Sequence, residues 1–355
     1  MSTEYKKKLE ELIQIVLTED ASDLHLAEER VPIVRVSGFL IPLVKEAVSS
    51  KAEINGILSE ILDDKKIAIL MDKKDVDFAF DHAGKARFRG NAYFQLGKLS
   101  IALRLIPKQI KSLEELGLPS ILGSFAAKQQ GFFLVVGPSG QGKSTTLASL
   151  IEIINVNRLE HIVTLEDPIE YIFQPKKAII EQREILQDTP DFHTGLKGML
   201  RQDVDVMMIG EMRTPEDISA AVTAAETGHL VFSTLHTNTA SQTMARIIDS
   251  FGADQQNQIR SQLASSLLGI FSQKLIPRIS GGLIPACEFL INNNAVANLI
   301  RENRIHEIDT IIETSSELGM IDLNRYLSEL VRSGEITIEN AYLHTTNAKT
   351  LERMI

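Results

Sequence analysis

Residues 137–144 read GPSGQGKS, with the apolar run FFLVV before them and TTLASLIEII after them. A G-x-x-x-x-G-K-[ST] pattern between a buried strand and a helix is typical of loops that hold phosphate groups at the positive end of that helix. We expect Lys143 to reach the β- and γ-phosphates and the Ser144 hydroxyl to bind magnesium. A glycine-rich loop that binds nothing is the alternative, but it leaves the two flanks unexplained. The candidate nucleotide-binding residues are Gly137, Pro138, Ser139, Gly140, Gln141, Gly142, Lys143, Ser144 and Thr145.

Polar residues follow three further apolar runs. Glu166 comes after HIVTL, Glu211 after VMMIG and His236 after LVFST. In open α/β sheets, ligands bind beyond the carboxyl ends of the strands, so these side chains are expected beside the phosphate loop. We interpret Glu211 as holding magnesium through water and Glu166 as orienting the attacking water, although spacing alone permits the two roles to be exchanged. A solvated turn residue is the alternative for any one of the three.

The stretch GHLVFSTLHTNTA, residues 228–240, contains two histidines separated by seven positions. An extended strand places them roughly 20 Å apart, which excludes a shared metal ion. His236 is expected to contact the γ-phosphate, with a capped core histidine as the alternative. Taken from the residues alone, His229 is expected at the far end of the strand, in a structural role or a subunit contact.

The rest of the chain predicts two α/β regions. Residues up to about Leu105 alternate apolar and polar side chains as strands do, after a helix with apolar residues at helical spacing. This predicts a small α+β domain with an antiparallel sheet, hairpins at Ser37-Gly38, Gly84-Lys85 and Gly97, and a helix over Lys51 to Leu70. The break at Ile106-Pro107-Lys108 predicts a linker, and hence domains at 1–107 and 108–355. Alternating helices and short apolar strands beyond it predict a mainly parallel sheet wrapped by helices, chiefly helical after Gly252.

Composition narrows the classes of function. The 355 residues carry a formal net charge of −10, no tryptophan and one cysteine. An acidic chain poor in aromatic residues argues against nucleic-acid binding, and one cysteine excludes both an intrachain disulfide and a zinc site of paired CxxC motifs. No apolar run approaches the ~18–20 residues of a membrane span. We therefore expect a cytoplasmic protein that meets a membrane only through a partner.

Four segments together resemble the nucleotide-site motifs of the secretion-superfamily ATPases: GPSGQGKSTTLASLI, TLEDPIEY, LRQDVDVMMIGEMR and TGHLVFSTLHTN. ASDLHL and AVANLIRE extend the resemblance over nearly the whole chain, toward the PilT-type retraction ATPases of type IV pili. It implies a PAS-like N-terminal domain, a RecA-like ATPase domain with a helical C-terminal part, and ATP with magnesium. It also implies a homohexamer at the inner membrane, a platform protein as partner and, indirectly, pilin. His229 and His236 match the family's two His-box positions, so His229 is counted among the nucleotide-binding candidates.

The resemblance also implies that arginines of the N-terminal domain reach the phosphates and stabilise transition-state charge. Arg89 and Arg104 are our candidates, with an ordinary solvated strand face as the alternative. Three other functions compete: a pilus-extension or type II secretion ATPase, an accessory retraction ATPase, and a nucleic-acid translocase on a similar core. One cysteine cannot build the tetracysteine module common in the first group, and Glu166 and Glu211 together favour turnover.

Overall fold

The first of two compact units contains the chain up to Gln109 together with Pro168–Ile172. The protein's structure is a computed structural model that describes residues 2–36, 38–82 and 84–355. The six strands of this unit form one sheet in the order β3-β2-β1-β6-β5-β4, with antiparallel neighbours throughout. They are β1 Asp23–Ala27, β2 Ile33–Val36, β3 Phe39–Pro42, β4 Asp75–His82, β5 Ala86–Gln95 and β6 Lys98–Ile106, with helices α1 Ser2–Thr18, α2 Lys51–Ile61 and α3 Asp64–Lys73.

The N-terminal unit has the predicted α+β architecture, with one difference in its helices. Apolar residues of α1 and α2 are buried in the same core as the inward-facing residues of the sheet. The single helix predicted over Lys51 to Leu70 is wrong, because two helices meet there. The Asp63 carboxylate accepts the Lys66 backbone N–H at 2.8 Å and so begins α3 as an N-cap. The predicted turns at Gly84-Lys85 and Gly97 join β4 to β5 and β5 to β6. The third predicted turn is Ser37-Gly38, and its Ser37 lies outside the described residues.

The second unit, Ile110–Asp167 with Phe173–Ile355, is built on a seven-stranded sheet in the order β13-β12-β7-β11-β10-β8-β9. All neighbouring strands are parallel except β12 and β13, which confirms the predicted mainly parallel sheet. Its strands are β7 Gly131–Val136, β8 His161–Glu166, β9 Ile179–Glu184, β10 Val206–Ile209, β11 Leu230–Leu235, β12 Leu267–Pro277 and β13 Leu283–Ile291.

Helices cover this sheet and share its core. The hydrophobic core of this unit contains residues of the central strands and apolar residues of the helices that lie between Phe192 and Thr314. The helices are α4 Gly123–Ala126, α5 Lys143–Asn157, α6 Phe192–Met199, α7 Pro215–Glu226, α8 Ala240–Asp249, α9 Gln256–Ser266, α10 Asn294–Arg301, α11 Ile308–Thr314, α12 Leu323–Arg332, α13 Ile338–His344 and α14 Ala348–Glu352, with 3₁₀ turns at Ser120–Leu122, Ile305–Glu307 and Ser316–Leu318. Within the described residues, no helix has both the length and the apolar character that crossing a membrane requires.

Two strands of this sheet were not expected from the sequence. β9 is an edge strand with the sequence IIEQRE, whose charged and polar residues conceal its apolar pattern. β12 directly follows α9 and begins within a stretch that we predicted to be helical. The prediction of a chiefly helical region beyond Gly252 is therefore wrong for β12, which pairs with β7 and with β13. The apolar run IPACEFLI, which the sequence predicts to be a strand, lies within β13.

Candidate functional site

The phosphate-loop sequence joins the C-terminal end of β7 to the first residue of α5, Lys143. Gly137 has φ +147°, and a Cβ there would lie 2.4 Å from the Gln273 carbonyl oxygen of β12. Gly142, the residue before α5, has φ +81°. Both positions require glycine, one for close approach and one for its left-handed backbone. The backbone of β12 therefore packs directly against the phosphate loop.

Gln273 connects β12 to the phosphate loop and to the first turn of α5. Its buried amide donates to the Gln141 carbonyl at 2.8 Å and accepts the Thr146 hydroxyl at 2.7 Å. The Gln141 side chain in turn accepts the Leu275 backbone N–H at 2.5 Å. Sequence reasoning missed Gln273, because it lies in a region predicted to be helical. The loop is therefore held by a strand more than a hundred residues further along the chain.

Lys143 begins α5 at the end of the loop, and its side chain turns back toward the loop backbone. The residue is only 8% exposed, and its ammonium donates to the carbonyl oxygens of Gly137 at 2.7 Å and Pro138 at 2.9 Å. His236 Nδ1, at the end of β11, lies 3.4 Å from the same ammonium. The predicted meeting of the β7 loop and the β11 end therefore occurs in the structure.

His236 links Lys143 to Glu211. Its Nε2 lies 3.1 Å from Glu211 Oε2, after β10. A carboxylate accepts hydrogen bonds and an ammonium donates them, so the neutral Nε2–H tautomer satisfies both neighbours of the ring. A polar chain thus runs from the phosphate loop, through one imidazole, to the carboxylate beyond β10.

Glu211 also contacts one cationic side chain, that of Arg213. Arg213 Nε donates to Glu211 Oε1, and Arg213 Nη2 lies 3.2 Å from Asp167. Burial acts to raise the pKa of Glu211, but hydrogen bonds from Arg213 and His236 and the positive charge of Arg213 outweigh it, so this pKa lies below its usual value. Arg213 also lies over the Phe192 ring, 5.5 Å from its centroid. The ionised group can therefore act as a hard oxygen ligand or hydrogen-bond acceptor.

Glu166 ends β8 and is buried, at 8% exposure. Its Oε1 accepts the Thr164 hydroxyl at 2.7 Å and the Gln182 amide at 3.1 Å. Both of these hydrogen bonds come from neutral groups and orient the carboxylate.

His229 lies at the opposite end of β11 from His236. Its Nδ1 is 3.0 Å from the Ala224 carbonyl at the end of α7, and its own carbonyl accepts the Gly131 N–H at 3.0 Å. These contacts join the C-terminal end of a helix to the start of β7. The chain does not bring His229 to its own phosphate loop.

Arg89 and Arg104 lie directly opposite each other on β5 and β6. Like charges in facing positions destabilise a sheet unless they are compensated. Glu170 lies 2.8 Å from Arg89 Nη1, and Asp23 lies 2.9 Å from Arg104 Nε. The neighbouring Arg87 donates to the backbone carbonyls of Ile169 at 2.8 Å and Glu170 at 3.1 Å. The two candidate arginines thus have carboxylate partners within the N-terminal unit, and both side chains are exposed.

The predicted magnesium ligands are the Ser144 hydroxyl and the Glu211 carboxylate. Ser144 is exposed in the first turn of α5, beside Lys143. Hydroxyl and carboxylate oxygens suit magnesium, which takes one or two protein groups and fills its shell with phosphate and water. Across residues 2–36, 38–82 and 84–355, no group of three or more His, Cys, Asp or Glu side chains could hold a metal ion. The donor set fits magnesium that arrives with a nucleotide.

Comparison with known proteins assigns the family. The family model described as type II/IV secretion system protein matches residues 2–348. The type IV pilus retraction ATPase PilT of Pseudomonas aeruginosa is 40% identical over 93% of this chain and 96% of its own length. A twitching motility protein of Neisseria gonorrhoeae is 43% identical over 90% of this chain and 86% of its own length. The crystal structure of the pilus retraction motor PilT with bound ADP superposes with a TM-score of 0.89 and 41% identity, covering 97% of this chain and 98% of the other. The chain therefore belongs to the type II/IV secretion system protein family.

Proposed function

We propose that this protein is an ATPase whose hydrolysis of ATP drives the retraction of type IV pili. The observation that carries the ATPase assignment is the polar chain from Lys143 through His236 to Glu211 at the mouth of a phosphate loop. Retraction as the output is supported by the relatives named for pilus retraction and twitching motility, which match nearly the whole chain.

The environments of the two glutamates favour different roles in hydrolysis. Glu166 is buried at the end of β8 and is oriented by hydrogen bonds from Thr164 and Gln182, so we assign it to orient the attacking water and accept its proton. Glu211 is ionised among cations beside the loop, so it is suited to hold magnesium through water. Bound magnesium supplies neutralisation of phosphate charge. The exchanged assignment requires the charged cluster around Glu211 to open before it can act on water.

Lys143 and His236 are suited to binding the phosphates. The Lys143 ammonium donates to two loop carbonyls, and these bonds can be exchanged for bonds to the β- and γ-phosphate oxygens. His236 lies against the same ammonium and is placed to contact the γ-phosphate. Arg89 and Arg104 supply charge to the transition state, either within one chain or across two.

The motor is proposed to work as a homohexamer on the cytoplasmic side of the inner membrane. It would be held there by a platform protein of the pilus machinery and would act on pilin indirectly. The proposal covers a primary and an accessory retraction ATPase alike.

Deletion of the gene tests the direction of the motor. We expect cells with excess surface pili that no longer retract and no twitching motility. Loss of surface pili would instead assign the protein to assembly. Complementation with Lys143→Ala should not restore retraction, and the purified variant should lose ATP affinity and turnover together. Lys128→Ala, an exposed lysine outside the loop, is the matched control and should behave as wild type.

A further inference from the structure

Gln182 is a polar residue on the edge strand β9 that the predicted site did not include. In the register of the parallel pair β8 and β9 it lies level with Thr164. Both side chains donate to the same oxygen of Glu166, Thr164 at 2.7 Å and Gln182 at 3.1 Å. An edge strand thus supplies a direct contact to the carboxylate that we propose acts on water.

The hydrogen bond made by the amide oxygen of Gln182 determines which way the amide group faces. Its Oε1 accepts the Phe173 backbone N–H at 3.0 Å. A backbone N–H only donates, so the amide oxygen must face Phe173 and the NH₂ group must face Glu166. An ionised Glu166 only accepts, which requires the same orientation. The amide cannot flip without losing both hydrogen bonds.

The two hydrogen bonds of the Gln182 amide connect two points of the chain, Glu166 and Phe173. After Glu166 the backbone passes through Pro168–Ile172, which belongs to the N-terminal unit, and returns to the second unit at Phe173. Gln182 therefore contacts Glu166, one residue before the chain leaves the second unit, and Phe173, the residue at which it returns. Phe173 is buried, at 5% exposure, so the Gln182 amide oxygen is bonded to a well-packed residue.

We propose that Gln182 is the positioning residue of Glu166, which holds the carboxylate in the one rotamer that can act on water. The inference rests on the proposed role of Glu166 in ATP hydrolysis. The amide of Gln182 acts through Glu166, which we propose works on the attacking water, so its loss should lower turnover more than it lowers ATP binding. A residue that merely stabilised the fold would not separate these two quantities.

Gln182→Met tests this inference, because methionine preserves the length and volume of the side chain without the amide. We expect kcat to fall about tenfold, the effect of losing about one hydrogen bond, with the Kd of a fluorescent ATP analogue within twofold of wild type. Gln187→Met, an exposed glutamine five residues further on, is the matched control and should leave both unchanged. Gln182→Asn, which keeps the amide on a shorter stem, should show the same separation if the methionine variant does not fold.

A double variant separates positioning from other effects. In a Glu166→Gln background, Gln182→Met should lower the residual rate less than twofold, because the group on which it acts is already disabled. Wild-type kcat in Gln182→Met, or an equal loss of ATP binding, would overturn the inference. An undiminished effect in the Glu166→Gln background would do so as well. If Glu166→Gln itself hydrolyses ATP at the wild-type rate, the proposed role of Glu166 fails, which is a distinct result.

Discussion

The two histidines at the ends of β11 offer a matched pair for testing the site. His236→Ala removes the ring that joins Lys143 to Glu211, with contacts of 3.4 and 3.1 Å. Hydrogen bonds to charged groups contribute about 1.5–3 kcal/mol each. The His236 side chain is 45% exposed, so solvent screening reduces this to about 1–2 kcal/mol for the bridge as a whole. We expect kcat/KM for ATP to fall roughly 5–30-fold.

His229→Ala is the control at the other end of the same strand. It removes a contact with the Ala224 carbonyl and none with the loop. We expect kcat/KM of the assembled enzyme to stay within twofold of wild type, with any loss arising from assembly. The assay is steady-state phosphate release on size-selected oligomer, with ATP-analogue affinity measured on the same fractions. Equal effects of the two variants on isolated nucleotide binding would refute the division of roles.

Three further predictions concern other parts of the chain. Glu166→Gln preserves an oxygen acceptor for its neighbours, so we expect near-normal ATP binding with turnover lowered at least ~100-fold in a phosphate-release assay; failed binding with intact single-turnover chemistry would contradict this role. Glu288 is buried and accepts the Ala240 N–H at 2.7 Å, and burial raises its pKa to about 7. Glu288 therefore loses its proton at lower pH in the unfolded chain than in the folded protein, so the free energy of unfolding decreases as pH rises from about 4.5 to about 7. In chemical denaturation, the free energy of unfolding of Glu288→Gln should increase by about 2–3 kcal/mol relative to that of wild type between pH 5 and pH 8. The same pH dependence of unfolding in both proteins would contradict this prediction. Arg301 is exposed on α10 whereas Leu299 is buried, so Arg301→Ala should leave ATPase activity within a few-fold and abolish twitching, and a parallel loss of both would make α10 structural.

The sequence by itself determined the elements whose signal is contiguous. The phosphate loop is one eight-residue pattern between a strand and a helix, and the strands of both sheets mostly alternate or run apolar over neighbouring positions. The polar residues after β8, β10 and β11 were identified for the same reason, since parallel strands all end at one edge. Even the break at Asp63 is a local signal, an N-cap that a longer helical pattern concealed.

Only the tertiary structure decided which distant side chains meet. His236 contacts a lysine 93 positions away, and Gln273 contacts Thr146 across 127 positions. β9 and β12 are recognised as strands chiefly through their partners, because polar residues interrupt the apolar pattern of one and the other follows directly on a helix. Such contacts depend on strand order and register, which no single stretch of residues carries. The nucleotide motif was therefore readable from the chain, whereas the glutamines that hold the loop and orient Glu166 became visible only once the sheet had assembled around them.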